Sequence, residues 1–158
     1  MLTIDLIDEA ATEQWAQCLA HALRALHPAS IFVTLSGELG AGKTTWVRAL
    51  LRALGVTDPV RSPTYSLLES YPVGECSLDH MDWYRLHSEA ELEGVGFREL
   101  LSAGHWLMVE WPERIPSAAQ LADLALDLTY QGEGRRVTLT AHSEVAVALL
   151  ARLSASKT

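Results

Sequence analysis

The hydrophobic pattern of the first sixty residues predicts an alternation of strands and helices. Residues 3–7 alternate apolar and polar positions, which predicts a short strand, and Asp8 is a candidate N-cap for the amphipathic helix that follows and ends near His27. The compact apolar run at 31–35 is typical of a strand buried on both faces. A second amphipathic helix comes next, and Gly55 is placed to end it.

The rest of the chain predicts further strands and helices. Residues 56–64 contain two prolines and no periodicity, which predicts an exposed loop. The elements predicted after it are a hairpin of 65–71 and 76–82 turning near Pro72 to Gly74, short helices within 88–101 broken at Gly94 and Gly96, a strand at 105–109, a hairpin of 124–130 and 137–141, and a helix at 143–153. This order predicts an α/β fold with a mixed central sheet, helices on its faces and a late antiparallel hairpin.

Composition favours one soluble domain over residues 1–158. The chain has a mass of 17.3 kDa, with 49% hydrophobic and 20% charged residues, which is globular composition. Its formal net charge of −8 disfavours tight unaided binding to nucleic acid, so any tRNA would be held through another protein. The acidic N-terminus and the lack of a long apolar run predict neither a signal peptide nor a membrane span, and therefore a cytoplasmic protein.

A glycine-rich stretch between the predicted strand and helix is the strongest local signal. Residues 37–44 match the phosphate-binding pattern G-x-x-x-x-G-K-[ST], known as Walker A, and its eight residues are Gly37, Glu38, Leu39, Gly40, Ala41, Gly42, Lys43 and Thr44. Glycines allow backbone N–H groups to curl around phosphate oxygens, and the following helix adds its positive N-terminal end. We expect Lys43 to bridge the β- and γ-phosphates of ATP, Thr44 to ligate Mg²⁺ and Thr45 to reach the α-phosphate.

Such a loop needs carboxylates near the magnesium ion, and the sequence offers two. Glu110 follows a buried strand, and Asp82 ends a second strand-like segment. Each acid has the alternative of being a solvated loop residue. Thr64 is a candidate sensor of the γ-phosphate or the hydroxyl of a local turn, and both interpretations stay open.

Two other side chains near these motifs, those of Trp111 and Arg85, keep alternative interpretations, and a third, that of His80, is a weak candidate for a metal ligand. Trp111 packs beside a nucleotide or marks a docking surface, or it belongs to the core. Arg85 supplies a catalytic cation, or it pairs with a surface acid. His80 lacks any ligand-spaced partner, which disfavours metal binding by histidine.

Four separated segments together resemble the TsaE family of P-loop ATPases in bacterial tRNA threonylcarbamoyladenosine biosynthesis. They are GELGAGKTT at 37–45, RSPTYSLLESY at 61–71, HMDWYR at 80–85 and VEWPE at 109–113. The resemblance covers about residues 8–136 and implies a P-loop NTPase-like three-layer fold.

The resemblance also implies roles for particular residues. It places the magnesium ligand and water-positioning acids at Thr44, Asp82 and Glu110 and a switch-like threonine at Thr64, and Trp111 matches the family's tryptophan after the acid. It puts Thr12 near the adenine and Arg135 in contact with the nucleotide. The expected partners are TsaB and TsaD, which carry out the transfer chemistry, while slow ATP hydrolysis by this subunit resets their assembly.

The residue inventory agrees with hydrolysis that depends on a partner, because no clear arginine finger or water-orienting glutamine is evident. One alternative is a small-molecule P-loop kinase, which would need an arginine-bearing lid that the sequence lacks. Another is a nucleotide-gated binding module without significant catalysis. A GTPase is disfavoured because the chain contains no asparagine and therefore no Asn-Lys-x-Asp element.

Overall fold

The computed structural model describes residues 1–155, and the last residues of the predicted domain, 156–158, lie outside that range. The strands are β1 Leu2–Leu6, β2 Ile31–Gly37, β3 Leu68–Val73, β4 Cys76–Asp82, β5 His105–Glu110, β6 Leu124–Gln131 and β7 Gly134–Ala141. The helices are α1 Glu9–Leu26, α2 Lys43–Ala53, α3 Glu89–Gly94, α4 Phe97–Leu100, α5 Pro116–Ala119 and α6 Glu144–Ala155, with a 3-10 turn at Pro112–Arg114.

The strands form one mixed sheet in the order β1-β7-β6-β2-β5-β4-β3. The four strands β6, β2, β5 and β4 are parallel, whereas β3, β7 and β1 pair antiparallel with their neighbours. The carboxyl ends of the parallel strands therefore meet at one edge of the sheet, where ligands bind in open α/β sheets.

Alternating residues of β2 enter two different cores, as expected of a strand buried on both faces. Ile31, Val33 and Leu35 belong to the core beneath α1, α2 and α6, whereas Phe32 belongs to a second core beneath α3, α4 and α5. The sheet is thus covered on both faces. This confirms the predicted three-layer α/β fold with a mixed sheet and a late hairpin formed by β6 and β7.

The helix ends follow the sequence signals. The carboxylate of Asp8 accepts a hydrogen bond from the Ala11 N–H at 2.8 Å, and α1 ends at His27 in the left-handed conformation. Gly55 takes a φ of +90° just after α2. No helix within residues 1–155 is both long and apolar enough to cross a bilayer.

The structure corrects the first predicted hairpin. Residues 63–66 form a turn, closed by the Leu67 N–H donating to the Pro63 carbonyl at 2.8 Å, so β3 begins at Leu68 instead of residue 65. Pro72 lies inside β3 and the strands turn at Gly74. A proline is tolerated there because β3 is an edge strand, which has a free side on which the missing N–H is not needed.

The 3-10 turn and α5 were not predicted. Pro112 comes two residues after the end of β5, and both short helices begin with a proline, Pro112 and Pro116. Proline lacks an N–H that the first turn of a helix does not use, so it is suited to begin a helix.

Candidate functional site

The glycine-rich loop connects the carboxyl end of β2 to the first residue of α2, and glycine is required at three of its positions. Gly37, Gly40 and Gly42 have φ angles of +144°, +78° and +102°, which L side chains rarely adopt. A Cβ on Gly37 would also lie 2.5 Å from the carbonyl oxygen of Leu128 on the neighbouring strand. The loop therefore depends on its glycines for both conformation and space.

Lys43 occupies the centre of this loop. Its side chain is 5% exposed, and its Nζ donates to the carbonyl oxygens of Gly37 at 2.6 Å and Glu38 at 3.0 Å. Burial lowers the pKa of Lys43 from its usual 10.5, although the nearby carboxylates of Glu110, Glu113 and Asp82 oppose that shift. The loop thus holds a buried amine at its centre.

Glu110 is held by two donors. Its Oε1 accepts a hydrogen bond from the Thr44 hydroxyl at 2.7 Å and lies 2.7 Å from Nε2 of His80, which is fully buried. These contacts link β5 to the start of α2 and to β4. They also fix the direction of the carboxylate at the carboxyl end of β5.

His80 is a site residue that sequence reasoning missed. The sequence was interpreted for metal binding by this histidine, whereas the structure shows its Nε2 in contact with the Glu110 carboxylate. Its Nδ1 has no hydrogen-bond partner, so its only polar contact within the described residues is with Glu110. The available signal was its position two residues before Asp82, because alternate strand residues share a face.

Asp82 lies opposite Glu110 in the parallel register of β4 and β5. Its Oδ2 accepts from the Thr64 hydroxyl at 3.2 Å, and its Oδ1 accepts from the Tyr84 N–H at 2.8 Å. Thr64 also contacts the hydroxyl of Ser62 at 2.8 Å. The structure therefore brings Thr64 from the loop to an acid, in addition to its local contact.

Trp111 lines a cleft beside the glycine-rich loop and packs against the second core. Its backbone is left-handed, with a φ of +60°, and its ring lies 3.9 Å from the Lys43 Nζ and 4.9 Å from the ring of Tyr84. The tryptophan is therefore partly buried against the second core, and its place beside a nucleotide or at a docking surface stays a prediction. Arg85 lies over the exposed ring of Tyr65.

Two clefts flank the loop and share Gly40, Gly42 and Thr45. The first has a volume of about 210 Å³, and the other residues that line it are Leu39, Lys43, Thr44, Thr64, Asp82, Glu110 and Trp111. The second has a volume of about 240 Å³ and lies towards β1, α1 and the tip of the late hairpin, with Thr12, Ala41 and Arg135 in its lining. Of the predicted site residues, Glu38 lines neither cleft and instead contributes its carbonyl oxygen to Lys43.

Arg135 and Tyr130 bind the loop from the late hairpin. The Tyr130 hydroxyl donates to the Leu39 carbonyl at 3.1 Å, and the Arg135 guanidinium donates to the carbonyls of Gly40 at 3.3 Å and Ala41 at 3.2 Å. The resemblance implied a nucleotide contact for Arg135 and did not predict this one. Nothing in the sequence pattern marks Tyr130, whose role depends on the fold.

The protein is of the α/β class and contains a P-loop-like strand–loop–helix unit. A buried lysine and two acids lie in the cleft beside this unit, at the carboxyl ends of parallel strands. The family model "Threonylcarbamoyl adenosine biosynthesis protein TsaE" matches residues 6–138. The chain belongs to the TsaE family, and hence to the proteins of tRNA threonylcarbamoyladenosine biosynthesis.

Individual relatives support the same assignment. The chain is 32% identical to the "tRNA threonylcarbamoyladenosine biosynthesis protein TsaE" of Haemophilus influenzae over 97% of its length and 98% of the relative's. It is 40% identical to the protein of the same name from Synechocystis over 70% of each chain. Among solved structures it resembles YdiB of Bacillus subtilis, with a TM-score of 0.79 and 27% identity over 99% of this chain and 96% of that one.

Proposed function

We propose that this protein binds ATP with Mg²⁺ and hydrolyses it slowly as an accessory subunit of the threonylcarbamoyladenosine-forming machinery. The observation that carries the proposal is the convergence of Lys43, Thr44, Asp82 and Glu110 in one cleft beside the glycine-rich loop. These are the side chains that phosphoryl transfer requires, namely a cation for the phosphates, a hydroxyl for the metal and acids to hold metal or water.

The donors at the proposed metal site suit magnesium. Thr44, Asp82 and Glu110 offer hard oxygen ligands, and Mg²⁺ prefers a few such ligands together with phosphate and water oxygens. The part of the chain that the structure describes holds no group of three or more His, Cys, Asp or Glu side chains arranged for a metal ion. Thr44, Asp82 and Glu110 would hold Mg²⁺ together with phosphate oxygens of the nucleotide, and the ion would supply charge neutralisation at the phosphates.

Lys43 changes partners in this proposal. Its ammonium group leaves or shares the carbonyls of Gly37 and Glu38 and bridges the β- and γ-phosphates, where a charged hydrogen bond contributes roughly 1.5 to 3 kcal/mol. The second cleft, which Thr12 helps to line, receives the base, because the resemblance implies that Thr12 lies near the adenine. Asp82 and Glu110 share the roles of metal ligand and water positioning.

The proposed hydrolysis is slow without a partner. Within the described residues, the lining of the first cleft contains no arginine or glutamine, and an arginine finger is worth about a thousandfold or more in rate. We propose that the TsaB and TsaD proteins are the partners, that tRNA is reached only through them, and that ATP turnover resets the assembly in the cytoplasm. The exposed side chains of Leu39, which lines the cleft, and of Tyr65, which follows the cleft residue Thr64 in the chain, give such a partner apolar surface to contact.

ATP binding and turnover of the purified chain, alone and with TsaB and TsaD, test the proposal. We expect turnover that rises with the partners, loss of binding in Lys43→Ala, and retained binding with turnover reduced at least about a hundredfold in Glu110→Gln. Arg98→Ala, at an exposed position of α4 paired with Glu93, is the control and should behave as wild type.

Three results would argue for another function. Undiminished binding in Lys43→Ala would contradict the phosphate site. A phosphorylated metabolite found in a substrate screen would favour the kinase alternative. Unchanged partner cycling with Glu110→Ala would favour a nucleotide-gated module without catalysis, and competition between ATP and GTP tests the preference for adenine.

A further inference from the structure

Two side chains from the late hairpin bind backbone carbonyls of the glycine-rich loop. Three successive carbonyls, those of Leu39, Gly40 and Ala41, accept hydrogen bonds from Tyr130 or Arg135. A Cβ on Gly40 would lie 3.1 Å from the Tyr130 hydroxyl oxygen, so the hairpin approaches the loop closely. We call Tyr130 and Arg135 together the clasp.

The clasp is itself well supported. Tyr130 and Arg135 face each other in the register of β6 and β7, and the guanidinium carbon lies 4.1 Å from the centre of the tyrosine ring. Arg135 Nη1 also donates to the carbonyls of Gly134 at 2.9 Å and Glu133 at 3.2 Å. Most of the five guanidinium donors are therefore used on backbone carbonyls.

The hydrogen bonds from the clasp to these loop carbonyls also determine the direction of the N–H groups in the loop. In a planar trans peptide the C=O of one residue points opposite to the N–H of the next. Binding the carbonyls of Leu39 and Ala41 therefore orients the N–H groups of Gly40 and Gly42 towards the side of the loop away from the clasp. Both glycines line the first cleft, where the proposed phosphates lie, and also the second cleft, which Arg135 helps to line.

We propose that the clasp is a positioning device that holds the glycine-rich loop in its phosphate-binding conformation before any ligand binds. The expected gain in nucleotide affinity rests on the proposed function, whereas the effect of the clasp on the conformation of the loop does not. A glycine-rich loop has high conformational entropy, and ordering it in advance removes that cost from the binding step. Tyr130 and Arg135 then raise nucleotide affinity through the loop without having to touch the nucleotide.

Two measurements on the same variants test the clasp. We expect amide exchange at Ala41, whose buried N–H donates to the Glu38 carbonyl at 3.0 Å, to speed up in the nucleotide-free protein about tenfold in Arg135→Ala and a few-fold in Tyr130→Phe, which removes one hydroxyl only. We expect the Kd for ADP to rise by similar factors, because a loop that is no longer ordered in advance must be ordered when the nucleotide binds. Arg135→Lys, which keeps one charged donor, should recover part of the affinity.

Arg136→Ala is the matched control. It removes the same charge one residue further along β7, but the Arg136 side chain pairs with Asp5 on β1. Loop exchange and ADP affinity should both stay at the wild-type values in this variant.

The possible outcomes separate the clasp from its alternatives. Unchanged loop exchange in both clasp variants would overturn the proposal, and an affinity loss confined to Arg135→Ala would then indicate direct contact with the nucleotide. Faster exchange with unchanged ADP affinity would also overturn the positioning role. If the wild-type protein bound no ADP, the proposed function would fail, and loop exchange alone would still decide whether the clasp holds the loop.

Discussion

At the scale of single residues, backbone strain and a buried charge both occur next to the proposed phosphate site. Trp111 adopts a left-handed conformation that costs about 1 to 3 kcal/mol for a non-glycine residue. Its ring contacts Lys43 and Tyr84. The strained backbone conformation therefore occurs at a residue whose ring lies against the first cleft. The location is consistent with a functional reason for the conformation.

The strain at Trp111 can be measured with a pair of variants that both lack the ring. We expect Trp111→Gly to be more stable than Trp111→Ala by about 1 kcal/mol, because only glycine adopts this conformation freely. Urea unfolding gives the two free energies. The same pair at Tyr84, whose φ is not positive, should show the reverse order, and a more stable alanine variant at Trp111 would contradict the argument.

Lys43 makes stability depend on pH in a direction that follows from its lowered pKa. Below that pKa it is charged in both folded and unfolded chains, and burying the charge lowers stability. Between the lowered value and 10.5 the unfolded chain binds more protons, so stability rises with pH. Above 10.5 the amine is neutral in both states and the penalty is gone.

A comparison with Lys43→Met isolates this contribution. The quantity to measure is the difference in the free energy of unfolding, taken as wild type minus Lys43→Met. We expect this difference to increase as pH rises from neutral to about 10. Urea unfolding at several pH values without nucleotide provides the measurement, and the other titrating groups cancel in the difference. A difference that stays flat or decreases would show that burial does not dominate the environment of Lys43.

At the scale of elements, the late hairpin supports the loop on one side and meets β1 on the other. A Cβ on Gly134 would lie 2.6 Å from the Leu6 carbonyl oxygen and 3.0 Å from the Ile7 Cα. Both are backbone atoms at the end of β1, which cannot move aside as a flexible side chain could. The start of β7 therefore depends on glycine for its approach to β1.

This approach predicts contrasting effects of two glycine substitutions. Gly134→Ala should lower the free energy of unfolding by about 1 to 3 kcal/mol, because the added methyl group forces backbone atoms apart. Gly94→Ala, at the end of α3 with nothing within 4 Å of the added Cβ, should be neutral or slightly stabilising. Equal thermal and urea stabilities of the two variants would contradict the close approach.

At the scale of the whole molecule, the site is assembled from elements far apart in the chain. The loop, Asp82 and Glu110 come together because β2, β4 and β5 are parallel and end at the same edge. A ligand that bridges the loop and the acids connects the ends of three strands. Such a ligand should stabilise the folded chain as a unit.

Thermal unfolding with Mg²⁺ and ADP tests this coupling. At a hundred times Kd the ligand adds about 2.7 kcal/mol, which for a chain of this size raises Tm by roughly 5 to 10 °C. Lys43→Ala should lose most of the shift, and removing Mg²⁺ with a chelator should reduce it in wild type. An equal shift in wild type and Lys43→Ala would place the ligand elsewhere.

The sequence by itself determined the fold class, the glycine-rich loop and the acids at the strand ends. These features depend on local chemistry: the buried run of β2, the glycines and Lys43 lie within a few residues of one another, and the apolar run before Glu110 predicts where its strand ends. Residues 65–67 were misassigned to a strand because a turn and a strand differ there only through their contacts.

Only the tertiary structure decided which distant side chains act on the loop and its acids. His80 binds Glu110 from a neighbouring strand, Thr64 reaches Asp82 from a loop, and Tyr130 and Arg135 bind carbonyls about ninety residues away in the chain. Periodicity and motif spacing report on neighbours along the chain. Contacts across the sheet depend on strand order and register, which form only when the whole core packs.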